Sequence, residues 1–153
     1  MTTQLVFPVT DQPVTVIVPG NPVGKGRPRA ARRGKFTQLY TPEKTASYES
    51  LVAMAGHDAM AGRDLLLGPC LVTIEISVPI AASWSKRKQA LALSGALLPT
   101  SKPDIDNVEK ILFDGLNGVV WKDDVQVVEV RKRKRYSATP GVEMVIRMLV
   151  DGI

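Results

Sequence analysis

The segment KPDIDNVEK, residues 102–110, carries two aspartates two positions apart behind a proline, and a lysine four positions after the second aspartate. The run from Asp106 to Glu109 fits a capping box, in which Asp106 accepts hydrogen bonds from the free amides at the start of a helix. This pattern predicts a helix from Asn107 to about Leu116. Its predicted buried stripe consists of Val108, Ile111, Leu112 and Leu116.

The capping box does not include Asp104. A metal site that involves both aspartates is an alternative interpretation of the segment. Pro103 favours an extended backbone before the helix, and in an extended segment residues two positions apart point to the same side. Asp104 and Asp106 would then project together while Ile105 turns into the core. Capping by one carboxylate oxygen of Asp106 is compatible with metal binding through the other, so both interpretations stay open.

A second acidic pair, Asp123-Asp124, precedes the strand that is predicted to follow this helix. A helix followed by an antiparallel return can bring the two acidic groups together, and carboxylates that converge in a basic protein need a cation among them. Oxygen ligands without His or Cys favour Mg²⁺ or Mn²⁺ over zinc. On the predicted helix, Lys110 lies one turn after Asp106 on the same face, and Asp114 lies one turn further.

The basic residues concentrate in two runs. The segment from Gly20 to Pro42 contains no acidic residue, and the second run, residues 131–135, lies on a predicted strand, where alternation sends its charges to both faces. Taken alone, each run fits a solvated surface. Two runs that flank a carboxylate cluster favour contact with a phosphate backbone, and an aromatic content of 5% argues against stacking on single-stranded bases. The basic residues of the first run are Lys25, Arg27, Arg29, Arg32, Arg33 and Lys35.

The chain as a whole has the composition of a globular protein, with 153 residues, 44% hydrophobic and 23% charged. Its formal net charge of +5 favours polyanionic partners. Cys70 is the single cysteine, which excludes an intrachain disulfide, and its place at the head of an apolar run predicts a buried, reduced thiol. With no secretory signal pattern and no apolar run of membrane-spanning length, we expect a cytoplasmic protein without membrane contact.

Outside the acidic segment the chain alternates predicted strands and helices, which is typical of an α+β fold. Residues 20–35 are predicted as a loop or open hairpin before a short strand at 36–40. We expect one domain over residues 14–153, a mixed sheet with about three helices, behind an irregular lead-in over residues 1–13. The other predicted strands are Val14–Val18, 71–80, 125–136 and 142–149, the last two paired as a hairpin. The other predicted helices run from a Thr41 cap to about Ala61, and from a Ser83 cap to about Leu93 with Gly95 closing it.

The stretch KPDIDNVEKILFDGLNGVVWKDDVQVVEV, residues 102–130, resembles the acidic signature of the RusA family, the Holliday junction resolvases of bacteria and their phages. Weaker similarity runs through VTVIVPGNPVGKGRPR, TPEKTASYE and SWSKRKQALALSG, so the resemblance covers most of the chain from about Val14. The segment at residues 83–101 is longer than in the shortest family members, and the role of its helix is not assigned. The resemblance implies a catalytic set that consists of the metal-binding carboxylates Asp104, Asp106 and Asp124 and the lysine Lys110.

The same resemblance implies a homodimer that needs Mg²⁺ or Mn²⁺ and no small-molecule cofactor. Such an enzyme resolves four-way DNA junctions in recombination and repair by paired, symmetric nicks. The first basic run, with Arg131 and Arg133 of the second, would then contact the junction DNA. Two alternatives stay open: a non-catalytic junction-binding protein whose carboxylates only cap helices, and a less selective metal-dependent nuclease that cuts flaps or RNA.

Overall fold

The computed structural model describes residues 12–26, 29–34, 36–40 and 42–150. Within these residues the chain forms a mixed sheet and three α-helices, which confirms the predicted α+β fold with a single domain. A short 3₁₀-helix, Asp124–Gln126, precedes the fifth strand. In chain order the elements are β1 (Val14–Pro19), β2 (Arg29–Arg33), β3 (Phe36–Tyr40), α1 (Glu43–Met60), β4 (Cys70–Pro79), α2 (Lys86–Ser94), α3 (Ile105–Leu116), β5 (Val127–Ser137) and β6 (Gly141–Met148).

The main sheet has the strand order β1-β6-β4-β5, so the predicted β5–β6 hairpin is wrong. β4 lies between them and pairs antiparallel with β6 and parallel with β5. Hydrophobicity explains this order, because β6 buries Val142, Met144 and Ile146 and suits the interior of the sheet. β5 carries five consecutive basic residues at 131–135 and therefore suits an edge, where charged side chains reach water.

The helices α1 and α3 pack against each other over the core side of the sheet. All four residues of the predicted α3 stripe are fully buried, which confirms it. Glycine permits the close approach of the two helices, since a Cβ on Gly115 would lie 2.8 Å from Val52 Cγ1. Gly56 likewise lies against Leu116, where an added Cβ would be 2.6 Å from a methyl carbon. This packing fixes α3, and with it the acidic segment at its start.

The start of α3 lies two residues earlier than predicted. Asp104 is the N-cap, with φ −69° and ψ 141°, and its carbonyl accepts the first helical hydrogen bond from Val108 N at 3.1 Å. Asp106 is therefore a residue of the first turn and not the cap, so the predicted capping box is wrong. The predicted extended projection of both aspartates is wrong for the same reason, because Ile105 and Asp106 are already helical. Ile105 does pack against the core, as predicted.

The remaining boundaries differ from prediction by small amounts. α2 begins after Ser85, whose Oγ accepts from Lys88 N at 3.2 Å, so the predicted Ser83 cap is wrong. Gly95 closes α2 with φ 84°, as predicted. Pro42 takes the N-cap position of α1, while Thr41 lies outside the described residues. Within the segment predicted as a loop or open hairpin, Arg29–Arg33 form β2, which pairs antiparallel with β3, the strand predicted at residues 36–40.

Three further points concern Cys70, membrane-spanning helices and the N-terminal segment. Cys70 is fully buried and its thiol is free, as expected. The described residues include no helix of the length and hydropathy needed to cross a membrane. Residues 1–11 of the predicted lead-in lie outside the described residues, and Gln12 and Pro13 have no regular secondary structure.

Tyr48, on α1, makes the stability of the fold sensitive to alkaline pH. Its side chain is 6% exposed, and its hydroxyl approaches the Val23 backbone without a well-formed hydrogen bond among the described residues. Burial raises the pKa of Tyr48 from 10.0 to about 12. Because the folded protein favours the neutral phenol, this stabilisation is complete below pH 10 and is lost as pH rises through 12.

We expect Tyr48→Phe to remove this loss. The free energy of unfolding of the wild type should fall, relative to the variant, by about 2 kcal/mol between pH 9 and pH 12, which is most of the change that a shift of about two pKa units gives. Urea unfolding of both proteins at several pH values measures the difference. Parallel curves over this pH range would contradict the assignment. Other groups that lose a proton at alkaline pH, including Lys25 and Lys132, also lower the free energy of unfolding. Their contributions are the same in both proteins and cancel in the comparison.

Candidate active site

Two carboxylates stand open to solvent at the N-terminus of α3. Asp104 is exposed, and within the described structure its side chain makes no capping hydrogen bond to the helix. Asp106, in the first turn, has a side chain that is 90% exposed. The positive end of the helix dipole stabilises negative charge at this position. The sequence therefore places two available oxygen donors where anionic groups are favoured.

Asp104 borders an open cleft of about 630 Å³. The cleft lies where the segment at residues 22–26, the first turn of α1 and the start of α3 meet. Two exposed lysines, Lys44 and Lys102, also line it. An anionic ligand in the cleft would therefore meet two ammonium groups beside one carboxylate. The complete lining is Pro22, Val23, Gly24, Lys25, Gly26, Pro42, Lys44, Thr45, Lys102, Pro103, Asp104 and Asn107.

One wall of the cleft is held against α1 and α3 by hydrogen bonds that its backbone amides donate. Lys25 N donates to Asn107 O at 2.9 Å, and Gly26 N donates to Thr45 Oγ1 at 3.0 Å. A Cβ on Gly24 would lie 3.1 Å from the Cβ of Asn107. The glycines of this segment thus allow it to approach the helices closely.

The side chain of Lys25 joins α1 to α3. Its Nζ forms ion pairs with Glu49 and, at 2.8 Å, with Asp114. Burial lowers the pKa of Lys25, but the hydrogen bonds with Asp114 and Glu49 outweigh this, so the pKa lies above its usual value. The predicted DNA contact by Lys25 stays a prediction, and in this structure the ammonium is engaged by two carboxylates.

Two lysines of β5 contact the acidic segment. Lys132 Nζ donates to Asp106 Oδ1 at 2.9 Å and to Glu109 Oε1 at 3.1 Å. Lys134 Nζ donates to the carbonyl oxygens of Ser101 at 2.6 Å and Pro103 at 3.0 Å. Burial lowers the pKa of Lys132, but its hydrogen bonds to Asp106 and Glu109 raise it by more. The pKa therefore lies above its usual value.

The alternate residues of β5 point away from this site. Arg131 and Arg133 have side chains that are 68% and 61% exposed. Arg131 approaches Glu129 at 3.6 Å, and Arg133 forms a 2.5 Å ion pair with Glu75 of the neighbouring strand. The predicted division of charge between two faces of the strand is therefore confirmed, and the two faces make different contacts.

Asp124 belongs to the opposite end of α3. Its backbone N donates to Asn117 Oδ1 at 3.0 Å, and its Oδ2 accepts from Asn117 Nδ2 at 3.3 Å. Asn117 Oδ1 also accepts from the buried indole of Trp121 at 2.8 Å, which anchors the arrangement to the core. Asp123 caps the 3₁₀-helix, with Oδ1 accepting from Val125 N at 3.0 Å, so it has a structural role.

The predicted convergence of the two acidic groups within one chain does not form. Asp104 and Asn117 are the two caps of α3, and thirteen residues at 1.5 Å each separate them by about 20 Å. The chain returns beside the C-terminal end of the helix, so Asp124 stays there while Asp104 and Asp106 lie at the other end. Among residues 12–26, 29–34, 36–40 and 42–150, no group of three or more His, Cys, Asp or Glu is placed to hold a metal.

The remaining predicted residues are placed as follows. Lys110 is exposed on α3, one turn after Asp106. Arg29, Arg32 and Arg33 belong to β2, and Arg27 and Lys35 lie outside the described residues. Sequence reasoning did not single out Lys44, Lys102, Lys132 and Lys134. For Lys132 and Lys134, the two-residue period of a strand was the available signal, because it puts both lysines on one face of β5.

The chemistry of Asp104 and Asp106 fits a divalent cation of the Mg²⁺ type. Both side chains are exposed carboxylates, and Mg²⁺ binds through one or two carboxylates together with waters and substrate phosphates. Asp104 has both oxygens free of the helix cap, and Lys132 is positioned on only one oxygen of Asp106. Each residue thus offers oxygen donors of the kind that Mg²⁺ binds together with waters and phosphates.

Comparison with known proteins gives a family match and a similar protein. The family described as endodeoxyribonuclease RusA matches residues 19–147, which include every carboxylate discussed above. An uncharacterized protein of Bacillus subtilis strain 168, YqaN, is 36% identical over 130 residues, covering 84% of this chain and 91% of its own length.

Proposed function

The chain belongs to the RusA family of endodeoxyribonucleases, and on this premise we propose that it resolves four-way DNA junctions by metal-dependent hydrolysis. The observation that carries the proposal is the exposed carboxylate of Asp104, free of the helix cap, in an open cleft lined by Lys44 and Lys102. A DNA backbone needs cationic contacts, and a hydrolytic metal needs oxygen ligands beside them. The cleft provides both.

Each residue of the site has a separate task. Asp104 and Asp106 would hold the divalent cation, which when bound supplies Lewis-acid polarisation and a nucleophilic water at neutral pH. Lys44 and Lys102 bind phosphates along the cleft. Lys110, exposed on the same helix, contacts the scissile phosphate and stabilises the charge that develops there. Outside the cleft, the proposed DNA contacts are Arg27, Arg29, Arg32, Arg33, Lys35, Arg131 and Arg133.

We propose further that the enzyme acts as a homodimer. A four-way junction has twofold symmetry, so two copies of the site can make paired nicks in opposed strands. The dimer also offers a place for Asp124 in catalysis. About 20 Å of helix separates it from Asp104 in its own chain, so it can join a site only by meeting the carboxylates of a second copy.

Cleavage of a labelled mobile four-way junction tests this function. We expect paired nicks in opposed strands with Mg²⁺ or Mn²⁺ and no cutting in EDTA, because the carboxylates alone supply no nucleophile. Linear duplex, flap and RNA hairpin substrates serve as controls and should stay intact. Junction binding without metal-dependent cutting would establish a non-catalytic binding protein. Equal cutting of the linear or RNA substrates would establish a less selective nuclease.

A further inference from the structure

We propose that Lys132 and Lys134 form a lysine clamp that positions the acidic segment of the active site and does not bind DNA. This inference rests on the proposed nuclease function for its consequence in catalysis. The contacts of the two lysines with the acidic segment are present in the structure whatever the function is. The sequence analysis divided the charges of this basic run between two faces and named only Arg131 and Arg133 as DNA contacts, so it gave the two lysines no role.

The register of β5 directs the lysine clamp toward the core side of the sheet. Lys132 is the partner of Ile74 and Lys134 is the partner of Ile76 in the parallel β4–β5 pair. Both isoleucines are fully buried, so the lysines share their face of the sheet. Their aliphatic stems continue the apolar surface, and their ammonium groups extend beyond it.

The ammonium groups form hydrogen bonds with the segment that carries the proposed metal ligands. Lys134 binds the carbonyl oxygens of Ser101 and Pro103, the latter in the residue directly before Asp104. Lys132 binds one oxygen of Asp106 and, through Glu109, the next turn of α3. The lysine clamp therefore fixes the chain on both sides of Asp104.

These contacts also limit what the lysines can do for DNA. Carbonyl oxygens and carboxylates take two of the three N–H donors of each ammonium group, whereas a phosphate contact needs donors that face solvent. The side chain of Lys132 is 27% exposed, against 68% for its neighbour Arg131 on the other face. The charged side chains of β5 therefore have two roles. Lys132 and Lys134 hold the acidic segment in place, and Arg131 and Arg133, on the other face, are available to a polyanion.

Lys134→Met tests the proposal, because it keeps a stem of similar length and removes the ammonium group. The first measurement is hydrogen exchange of the Val108 amide, which donates to the Asp104 carbonyl oxygen beside the clamp. This measurement requires no DNA and no activity. We expect exchange at least about 10-fold faster in Lys134→Met, restored in Lys134→Arg, which can donate to both carbonyls. Exchange that matches the wild type in Lys134→Met would overturn the clamp. If Lys134→Met does not fold, Lys134→Gln takes its place.

The second measurement separates positioning from DNA binding. At saturating junction, a displaced acidic segment should lower the single-turnover rate of Lys134→Met by about 100-fold. Its junction affinity should stay within about 2-fold of the wild type, with the same dependence on salt. The matched variant Arg131→Gln should show the opposite pattern, with weaker binding, a salt slope smaller by about one and normal exchange of the Val108 amide.

A phosphate contact by Lys134 would give a different result. Lys134→Met would then bind the junction more weakly with a smaller salt slope, and would keep its rate at saturation. That outcome overturns the proposal. If the wild type itself cuts no junction with any divalent metal, the proposed function fails, and the hydrogen exchange of Lys134→Met still decides whether the clamp exists.

Discussion

Asp104→Asn is expected to abolish junction cleavage while junction binding persists. Asparagine keeps the size of the side chain but removes the negative charge that a divalent cation requires. We expect a loss of at least about 1,000-fold in the single-turnover rate with Mg²⁺, since an interaction with a metal ion contributes several kcal/mol to the transition state. Affinity for the junction, measured in Ca²⁺ or EDTA, should be unchanged or tighter, because a charge that repels phosphate has been removed.

The position of Asp104 makes this substitution well suited to the test. Asn and Asp are equally good N-cap residues, so the start of α3 and the stability of the protein should be preserved. Asp58→Asn, an exposed aspartate on α1, is the matched control and should cut like the wild type. If Asp104→Asn cuts at the wild-type rate, the carboxylate assignment is wrong and only the helix cap remains as its role.

The sequence predicted the elements that depend on local pattern. The α3 stripe followed from a 3.6-residue period, and the four residues named are all fully buried. β4 followed from strict alternation and is half-buried as expected. The first residue of α3 was missed because Asp106 and Glu109 matched a capping box, while the decisive hydrogen bond is made by the Asp104 carbonyl, which any residue at that position could provide.

Long-range pairing was less predictable. β5 and β6 are joined by a short turn, and a hairpin is the usual result of such a connection. The pairing instead follows from the hydrophobicity of complete strands, because β4 needs a neighbour on each side and β6 is the more apolar of the two candidates. The same limit applies to the site: the sequence identified Asp104, Asp106 and Asp124 as a set, but the length of α3 decides which of them share an end of the helix.

Mixed dimers are expected to reveal whether Asp124 completes the site of a second subunit. Asp104→Asn and Asp124→Asn should each be inactive as homodimers. If the two carboxylates meet across the dimer, a heterodimer of these variants contains one site that keeps both and one site that has lost both. Such a heterodimer should nick one strand at about half the total wild-type rate and should not make paired nicks.

The reciprocal arrangement provides the control, because it carries the same two substitutions per dimer. In a heterodimer of the wild type with the double variant D104N/D124N, each shared site would lack one carboxylate, so no cutting is expected. Sites contained within single subunits predict the reverse: an active heterodimer in this arrangement and an inactive one in the first. Differently tagged subunits, co-expressed and purified through both tags, allow the two heterodimers to be compared on one junction. Activity in the second arrangement alone would place Asp124 with Asp104 of its own chain, which the helix of about 20 Å between them does not allow without rearrangement of α3.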